Sequence, residues 1–400
     1  MSNDNLTRGS RKYSCTFLTA LFMIVLALSP SAVAQETRAI TKDPASATPQ
    51  PLTAVRMTAA FQDVTTSLAN LPEADTLIYI SPRRILTEAA PRVLPEKDLA
   101  EMRSGLSELR KNAGIDPTNL DYVVLQVRFK KPADDLSFSL PEFMVVTSGD
   151  FNVEALMQLV RQAAKGKLRD ESYGSKTLGV MTIEDLAKQA EKTPPLRSLS
   201  EVAIVSLNGS TIAIGTTAYV KAAIDAAAGK RRISPDLLNS VMRDPTALIS
   251  SAGSPLNAFA KTFALLGTEN NPRASRCDWR LGDFYASLTM DATSFKLRGA
   301  MNADNPDTAK IIKSLLSSLL QQATSVIKDS KAQSVLSSLI ITPTDTEVLL
   351  QAEVSQQAVA DFIREQARPK KLETQPVTSS PAKQPPTRRH RPTQRVRPKS

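Results

Sequence analysis

A recurring unit of two short apolar strands followed by a helix organises the hydrophobic and polar positions of this chain. The clearest copy covers residues 199–229, where Val202–Leu207 and Thr211–Ile214 are apolar and β-branched. Asn208-Gly209 lies between them. Asn-Gly favours a type I′ hairpin turn, because both central residues of that turn need a positive φ. The pattern therefore predicts an antiparallel hairpin.

A helix is predicted immediately after this hairpin. Gly215 is expected to let the chain bend, and the hydroxyl of Thr216 or Thr217 to cap the helix by accepting a bond from a free amide. Val220 and the alanines that follow form an apolar stripe, and Gly229 suits the position just beyond the helix.

The same periodicities predict further elements along the chain. Strands are expected at Thr76–Ile80, Tyr122–Phe129, Phe143–Thr147, Leu178–Ile183, Phe284–Met290, Phe295–Ala300, Leu339–Thr342 and Val348–Val354. Helices are expected at Ala54–Asn70, Pro82–Leu86, Lys97–Asn112, Val153–Ala164, Asp236–Met242, Pro255–Leu266, Pro306–Leu320 and Ser355–Phe362, with a short helix or loop at Glu184–Lys192.

The order of these elements repeats. Asp244–Ile249 is similar to Ala74–Ile78, and each stretch leads into a helix and then into hairpin–helix units. We therefore predict an α+β fold in two similar lobes, at Pro72–Arg232 and Asp244–Ala367, which arose by internal duplication. Antiparallel hairpins with one face under helices fit strands that are only half apolar.

The N-terminus has the features of an export signal. Three basic residues precede the apolar run Phe17–Leu28, and Ala32-Val33-Ala34 offers small residues for cleavage. Cleavage near Ala34 predicts a periplasmic or secreted protein; a retained membrane anchor is the alternative. Residues 35–71 are predicted to be a linker that ends in a short helix.

The C-terminal segment 368–400 is rich in proline and lacks aromatic residues, which predicts disorder. Of the net charge of +10, most belongs to this tail, since its only acid is Glu373. Such a polycation is expected to attract anionic polymers or membrane surfaces without nucleic-acid sequence specificity; a spacer without a partner is the alternative. The candidate contacts are Arg368, Lys370, Lys371, Lys383, Arg388, Arg389, Arg391, Arg395, Arg397 and Lys399.

Three stretches, PEADTLIYI, TIAIGTTAYVKAAIDAAAGK and SPDLL, give the body a loose resemblance to secreted bacterial proteins of unassigned function. The resemblance implies export and a repeated α+β body. It implies no activity and no site residues.

The residue content excludes several classes of catalytic site. The only histidine, His390, lies in the tail, so the body cannot hold a Ser-His-Asp triad or a histidine zinc site. Cys15 would leave with the signal, and Cys277 alone cannot form a multi-thiolate site. Cys277 is expected to be a buried apolar residue.

The remaining motifs favour structural roles. Ser325 and Lys328 have the spacing of a serine–lysine pair but without its partner motifs, and Gly174–Thr177 lacks the glycine spacing of a phosphate loop. Asp134-Asp135 is expected to be a solvated loop, and Trp279 is expected in the core with Phe284 and Tyr285.

Together these observations predict an exported binding or interaction protein without enzymatic activity, cofactor or metal. The alternative is an envelope hydrolase that uses Asp/Glu or Ser/Lys chemistry. The ligand and the oligomeric state stay open, as does whether Asp121 and Asp283 shape a pocket.

Overall fold

The fold is α+β, with one antiparallel sheet and helices packed against it. The computed structural model describes residues 61–129, 141–182, 201–254, 282–326, 333 and 336–367. Within these residues the sheet has 12 strands in the order β11-β12-β10-β9-β8-β1-β2-β3-β7-β6-β5-β4. The strands are β1 Thr76–Ile80, β2 Leu120–Arg128, β3 Glu142–Gly149, β4 Arg169–Tyr173, β5 Lys176–Thr182, β6 Glu201–Asn208, β7 Thr211–Thr216, β8 Ile249–Gly253, β9 Phe284–Met290, β10 Ser294–Asn302, β11 Ile340–Pro343 and β12 Glu347–Ser355.

The sheet consists of two halves that meet at β1 and β8. We call β1–β7 the first half and β8–β12 the second half. Outward from the seam, the first half runs β1, β2, β3, β7, β6 and the second runs β8, β9, β10, β12, β11. The strand order is therefore the same in both, and the hairpin β4–β5 extends the first half alone. At the seam Ile78 pairs with Ser251 in antiparallel register.

The helices begin largely where polar caps place them. Asn152 accepts a bond from the amide of Ala155, and Ser234, Asn305 and Ser355 cap three later helices in the same way. The helices are α1 (61–68), α2 Pro82–Arg84, a π-helix Ile85–Ala89, α3 Ala90–Val93, α4 Glu96–Ala113, a 3-10 helix Pro117–Asn119, α5 Val153–Ala163, α6 Thr217–Ala227, α7 Pro235–Val241, α8 Pro306–Val326 and α9 Gln356–Ala367.

The largest core lies on one face of the first half, which we call the front face. Val124 of β2 and Ala213 of β7 are buried there beneath Val220 and Ala223 of α6. The helices α1 and α7 complete the cover through Leu68 and other buried residues. Small residues on the strands let α6 lie close to the sheet.

The opposite, back face carries three smaller clusters. The segment from α2 to α3 covers Ile78 and Ile80, α5 covers Ile204 and Ile212, and α8 covers Met301 with Val348 in the second half. Helices thus lie on both faces of the first half, whereas one covered face was predicted. The reason is that central strands such as β1 are apolar on both sides (Leu77 and Ile78).

The turn between β6 and β7 is not the predicted type I′ turn. Its central residues are Gly209 and Ser210, and neither has a positive φ. Instead the Asn208 side chain accepts bonds from the amide and hydroxyl of Ser210, and a register shift after Ser206 absorbs the difference in twist. The predicted hairpin is confirmed, and its turn type is wrong.

Two expectations for the start of α6 are also wrong. The Thr216 and Thr217 hydroxyls are buried without partners, so neither caps the helix. Gly215 does not provide a bend; it lies in β7, where an added Cβ would come 2.3 Å from the carbonyl oxygen of Phe143. A glycine is needed there because the neighbouring strand approaches closely.

Most predicted elements are confirmed, with boundaries shifted by a few residues. β1 and β9 match the prediction, and Gly114 and Gly229 end their helices with positive φ. Asp244–Ile249, which is similar to Ala74–Ile78 in sequence, leads into a strand rather than forming one, since β8 begins at Ile249. The predictions at Glu184–Lys192 and Pro255–Leu266, and most of residues 1–71, lie outside the described residues.

Candidate interaction surfaces

The front face of the second half is an open sheet surface. Successive pairs place Arg298 opposite Gln351, and Gln351 opposite Ile340. All three side chains are exposed, Ile340 to 59%. We define the open face as these residues together with Thr342 and Glu353, which are also exposed.

The open face exists because α9 does not occupy the place that α6 has in the first half. α6 follows β7 and lies on β6, β7 and β3, whereas α9 follows β12 and packs mainly against α3. The backbone amide of Gln356 donates to the carbonyl of Thr293, and this bond directs α9 towards the turn between β9 and β10. Polar side chains at alternate positions suit the solvent that reaches the strands there.

A charged cluster fixes one end of the open face. The Asp291 carboxylate accepts bonds from the amides of Thr293 and Ser294 and lies 2.7 Å from the Lys296 ammonium. The Lys296 ammonium, with those amides, holds the pKa of Asp291 far below its usual range. Lys296 is also 3.8 Å from Glu353. This cluster holds the β9–β10 turn and leaves Arg298 as the exposed cation of the open face.

A second charged cluster lies where β2 and β3 meet α6. The Arg128 guanidinium contacts the Glu142 carboxylate at 2.5 and 2.9 Å and stacks 4.6 Å from the centre of the Tyr219 ring. The Tyr219 hydroxyl donates to the carbonyl of Glu73, and burial raises the pKa of Tyr219. Since its polar groups are engaged within the fold, this cluster stabilises the junction of sheet and helix.

The same junction contains an unusual buried polar side chain. Gln126 is fully buried; its amide nitrogen donates to the carbonyl of Pro72, and its Oε1 has no partner. In the part of the chain that the structure describes, no three Asp, Glu, Cys or His side chains are grouped to hold a metal ion. The Gln126 side chain therefore ties β2 to the chain at Pro72, ahead of β1.

Neither outer strand favours pairing with a further strand. β4 is highly charged, and Arg169 lies within 3.6 Å of Glu171 and 3.0 Å of Glu201. At the other edge the backbone amide of Thr344 donates to the carbonyl of Glu347 on β12. Because successive residues of a strand direct their backbone groups to opposite sides, those of Ile341 and Pro343 point away from the sheet. Proline has no N–H to offer there. Binding through side chains on the open face is thus favoured over strand addition.

All ten predicted contact residues of the tail lie outside the described residues. They are Arg368, Lys370, Lys371, Lys383, Arg388, Arg389, Arg391, Arg395, Arg397 and Lys399. The same holds for Asp134-Asp135, Cys277, Trp279 and Lys328.

The other predicted residues have structural positions. Ser325 is exposed near the end of α8, and Gly174 lies in the β4–β5 turn just before β5 begins at Lys176. Phe284 and Tyr285 pack against separate cores, as expected, and Arg243 lies 4.4 Å over the Tyr285 ring.

Asp121 and Asp283 do not come together. Asp121 follows the first residue of β2, next to the Ile80 end of β1, whereas the Asp283 carboxylate accepts from Ser254 at the opposite end of the sheet. Partial desolvation raises the pKa of Asp121 while Arg83 opposes that shift. The two carboxylates therefore do not shape one pocket.

Sequence reasoning missed the open face. The sequence does contain the alternation that indicates a solvent-facing strand side. Lys296 and Arg298 alternate with apolar residues along β10, and Gln351 and Glu353 do so along β12. What the alternation does not reveal is that α9 leaves this side of the sheet uncovered.

No protein-family model and no curated protein matches the chain. Among solved structures, it is similar to crystal form I of TP0453, with a TM-score of 0.39 and 11% sequence identity over 74% of this chain and 96% of that one. Crystal form III of TP0453 gives a TM-score of 0.40, 11% identity and coverage of 74% and 97%. At these scores the likeness supports no inference about function. No helix among the described residues is long and apolar enough to cross a membrane.

Proposed function

We propose that this chain is an exported binding protein without enzymatic activity, which contacts anionic envelope polymers through its basic tail and its open face. The open face carries the proposal. It presents the Arg298 guanidinium, the Gln351 amide and the Thr342 hydroxyl on an exposed sheet surface, and its one carboxylate, Glu353, lies 3.8 Å from the Lys296 ammonium. Such groups suit a polymer that carries hydroxyls together with carboxylates or phosphates.

The basic tail would supply most of the attraction. It follows α9, and its charges are interleaved with prolines, so an extended polycation would adjoin a nearly neutral body. Attraction between a polycation and a polyanion is weak per contact and steeply reduced by salt, and with a nucleic acid it would not depend on nucleotide sequence. The tail would bring the polymer near, and the open face would add a defined contact.

We further propose that the two halves arose by duplication and that a signal peptide directs export, with cleavage near Ala34. Equal strand order in the two halves supports the duplication, and the different position of α9 is what gave the second half its open face. Export rests on the N-terminal charge and apolar pattern. Sequencing the N-terminus of protein recovered from the envelope fraction tests the cleavage.

Binding is tested on a heparin column and on phosphatidylglycerol vesicles, at low and at high salt. A chain that ends at Ala367 is expected to elute at lower salt than the full mature protein. Arg298→Glu is expected to weaken retention more than Lys313→Glu, which makes the same charge change on the exposed side of α8. Equal retention of all four proteins contradicts the proposal, as does turnover of a hydrolase substrate that a single body substitution abolishes.

A further inference from the structure

The back face of the first half carries an apolar patch between its covered clusters. Val127 of β2 pairs with Phe143 of β3, and Leu125 pairs with Val145. These four side chains, which we call the back patch, are half-buried. The row continues to Ile214, which is 39% exposed. In the described ranges, no cluster of buried residues includes the back patch.

The second half shows what covers the corresponding position there. After β1, Ser81-Pro82 begins α2, and the chain through α3 packs over Ile249, Leu288 and Phe295. Ile249 pairs with Ile80 at the seam, and Leu288 pairs with Ile249. The segment that follows the central strand of one half thus covers strands of the other half.

The two-fold arrangement of strands places the back patch in the equivalent position. At the other end of the seam Gly253 pairs with Thr76, and Thr76 pairs with Val127. Val127 is therefore linked to β8 through one residue of β1, just as Leu288 is linked to β1 through one residue of β8. The equivalent covering segment is the one that follows β8.

The chain after β8 starts and returns at the correct end of the sheet. The Ser254 amide donates to the carbonyl of Asp75, and β9 begins at Phe284 opposite Gly253. Ser254-Pro255 repeats the Ser81-Pro82 start. The four residues Leu256, Phe259, Phe263 and Leu266 follow at spacings of three, four and three, which would place them on one side of a helix.

We propose that residues 255–266 pack with this apolar side on the back patch, as α2 to α3 pack on the other side of the seam. Each half would then cover part of the other half's back face, so that the halves are joined by side chains as well as by the β1–β8 pairing. The proposal is independent of the polymer binding proposed above.

Hydrogen exchange on the full mature chain tests the packing. In the wild type, amides of residues 255–266 are expected to exchange at least about tenfold more slowly than in an isolated peptide of that sequence. Phe263→Asp is expected to remove this protection, and Val127→Ala to reduce it severalfold. The control Lys261→Asp lies on the opposite side of the predicted helix and should leave exchange unchanged.

Each other outcome overturns the proposal. Exchange at the peptide rate in the wild type means that the segment does not pack. Protection that survives both Phe263→Asp and Val127→Ala places the segment elsewhere. Protection that rises with protein concentration assigns the patch to a second copy. Exchange in β1 and β2, followed in the same spectra, shows that each variant keeps its sheet.

Discussion

Replacing Arg128 by methionine should destabilise the fold by removing a charged partner of the buried Glu142 carboxylate. The Glu142 side chain is only 5% exposed, whereas that of Arg128 is 28% exposed. Breaking a buried ion pair typically costs about 3–5 kcal/mol. Since Arg128 reaches partly into solvent, we expect a loss near the lower limit, about 3 kcal/mol.

The double variant distinguishes an ion pair from simple packing. Arg128→Met with Glu142→Leu removes both charges and keeps the volume, so its stability is expected within about 1 kcal/mol of the wild type. Lys310→Met is the control. Lys310 and its partner Asp307 are 70% and 85% exposed, and an exposed pair contributes at most about 0.5 kcal/mol.

The free energy of unfolding is measured by urea titration followed by circular dichroism. Two results would refute the reasoning. In the first, Arg128→Met costs less than about 1 kcal/mol, which means that the buried Glu142 carboxylate does not depend on the Arg128 guanidinium. In the second, the double variant is less stable than either single variant, which means that packing outweighs charge at this junction.

Three further perturbations have definite expectations. Burial raises the pKa of Tyr79, Tyr122 and Tyr219, so the stability that depends on their neutral form is complete below pH 10 and is lost as pH rises further; urea titrations from pH 8 to 11.5 should show the loss, and a flat profile contradicts it. The lowered pKa of Asp291 contributes stability that is present above about pH 4 and is lost on acidification, so Asp291→Asn should flatten the acid limb of the stability profile. Gly253→Ala would place a Cβ 2.3 Å from a neighbouring carbonyl oxygen and should lower stability by at least about 2 kcal/mol, measured by thermal denaturation; an unchanged midpoint would show that the seam can widen.

The elements that local sequence determines were predictable. β1 is a short apolar run and β9 begins with two aromatic residues, and Asn152 and Ser234 are polar caps ahead of periodic helices. Their signals lie within a few residues of the structure they specify, so no knowledge of the tertiary fold is needed.

The elements that escaped prediction depend on distant partners. β4 reads RDESY and has no apolar alternation that would predict a strand. Ion pairs such as Arg169–Glu201 and Glu171–Lys221 hold it at the sheet edge instead. The π-helix precedes Pro91, whose ring would clash with a carbonyl in a regular α-helical turn, so the widened turn accommodates it.

The candidate surface was beyond local reasoning for the same reason. Alternating polar residues such as Arg298 and Gln351 predict a solvent-facing strand side but do not say which helix leaves it bare. Nor does any local pattern show that β1 and β8 would pair, since the two predicted lobes need not share a sheet. That pairing depends on residues about 170 positions apart in the chain.

The seam has a consequence for the order in which the chain is made. Ribosomes add roughly 5–20 residues per second, so β8 follows β1 by about 9–35 seconds. Throughout that interval one edge of Thr76–Ile80, with its unpaired amides and carbonyls, has no strand to meet. Such an edge is a template for pairing with another chain. The newly made first half therefore carries an aggregation hazard that the finished protein no longer has, and a chaperone that binds extended apolar segments would find its target there.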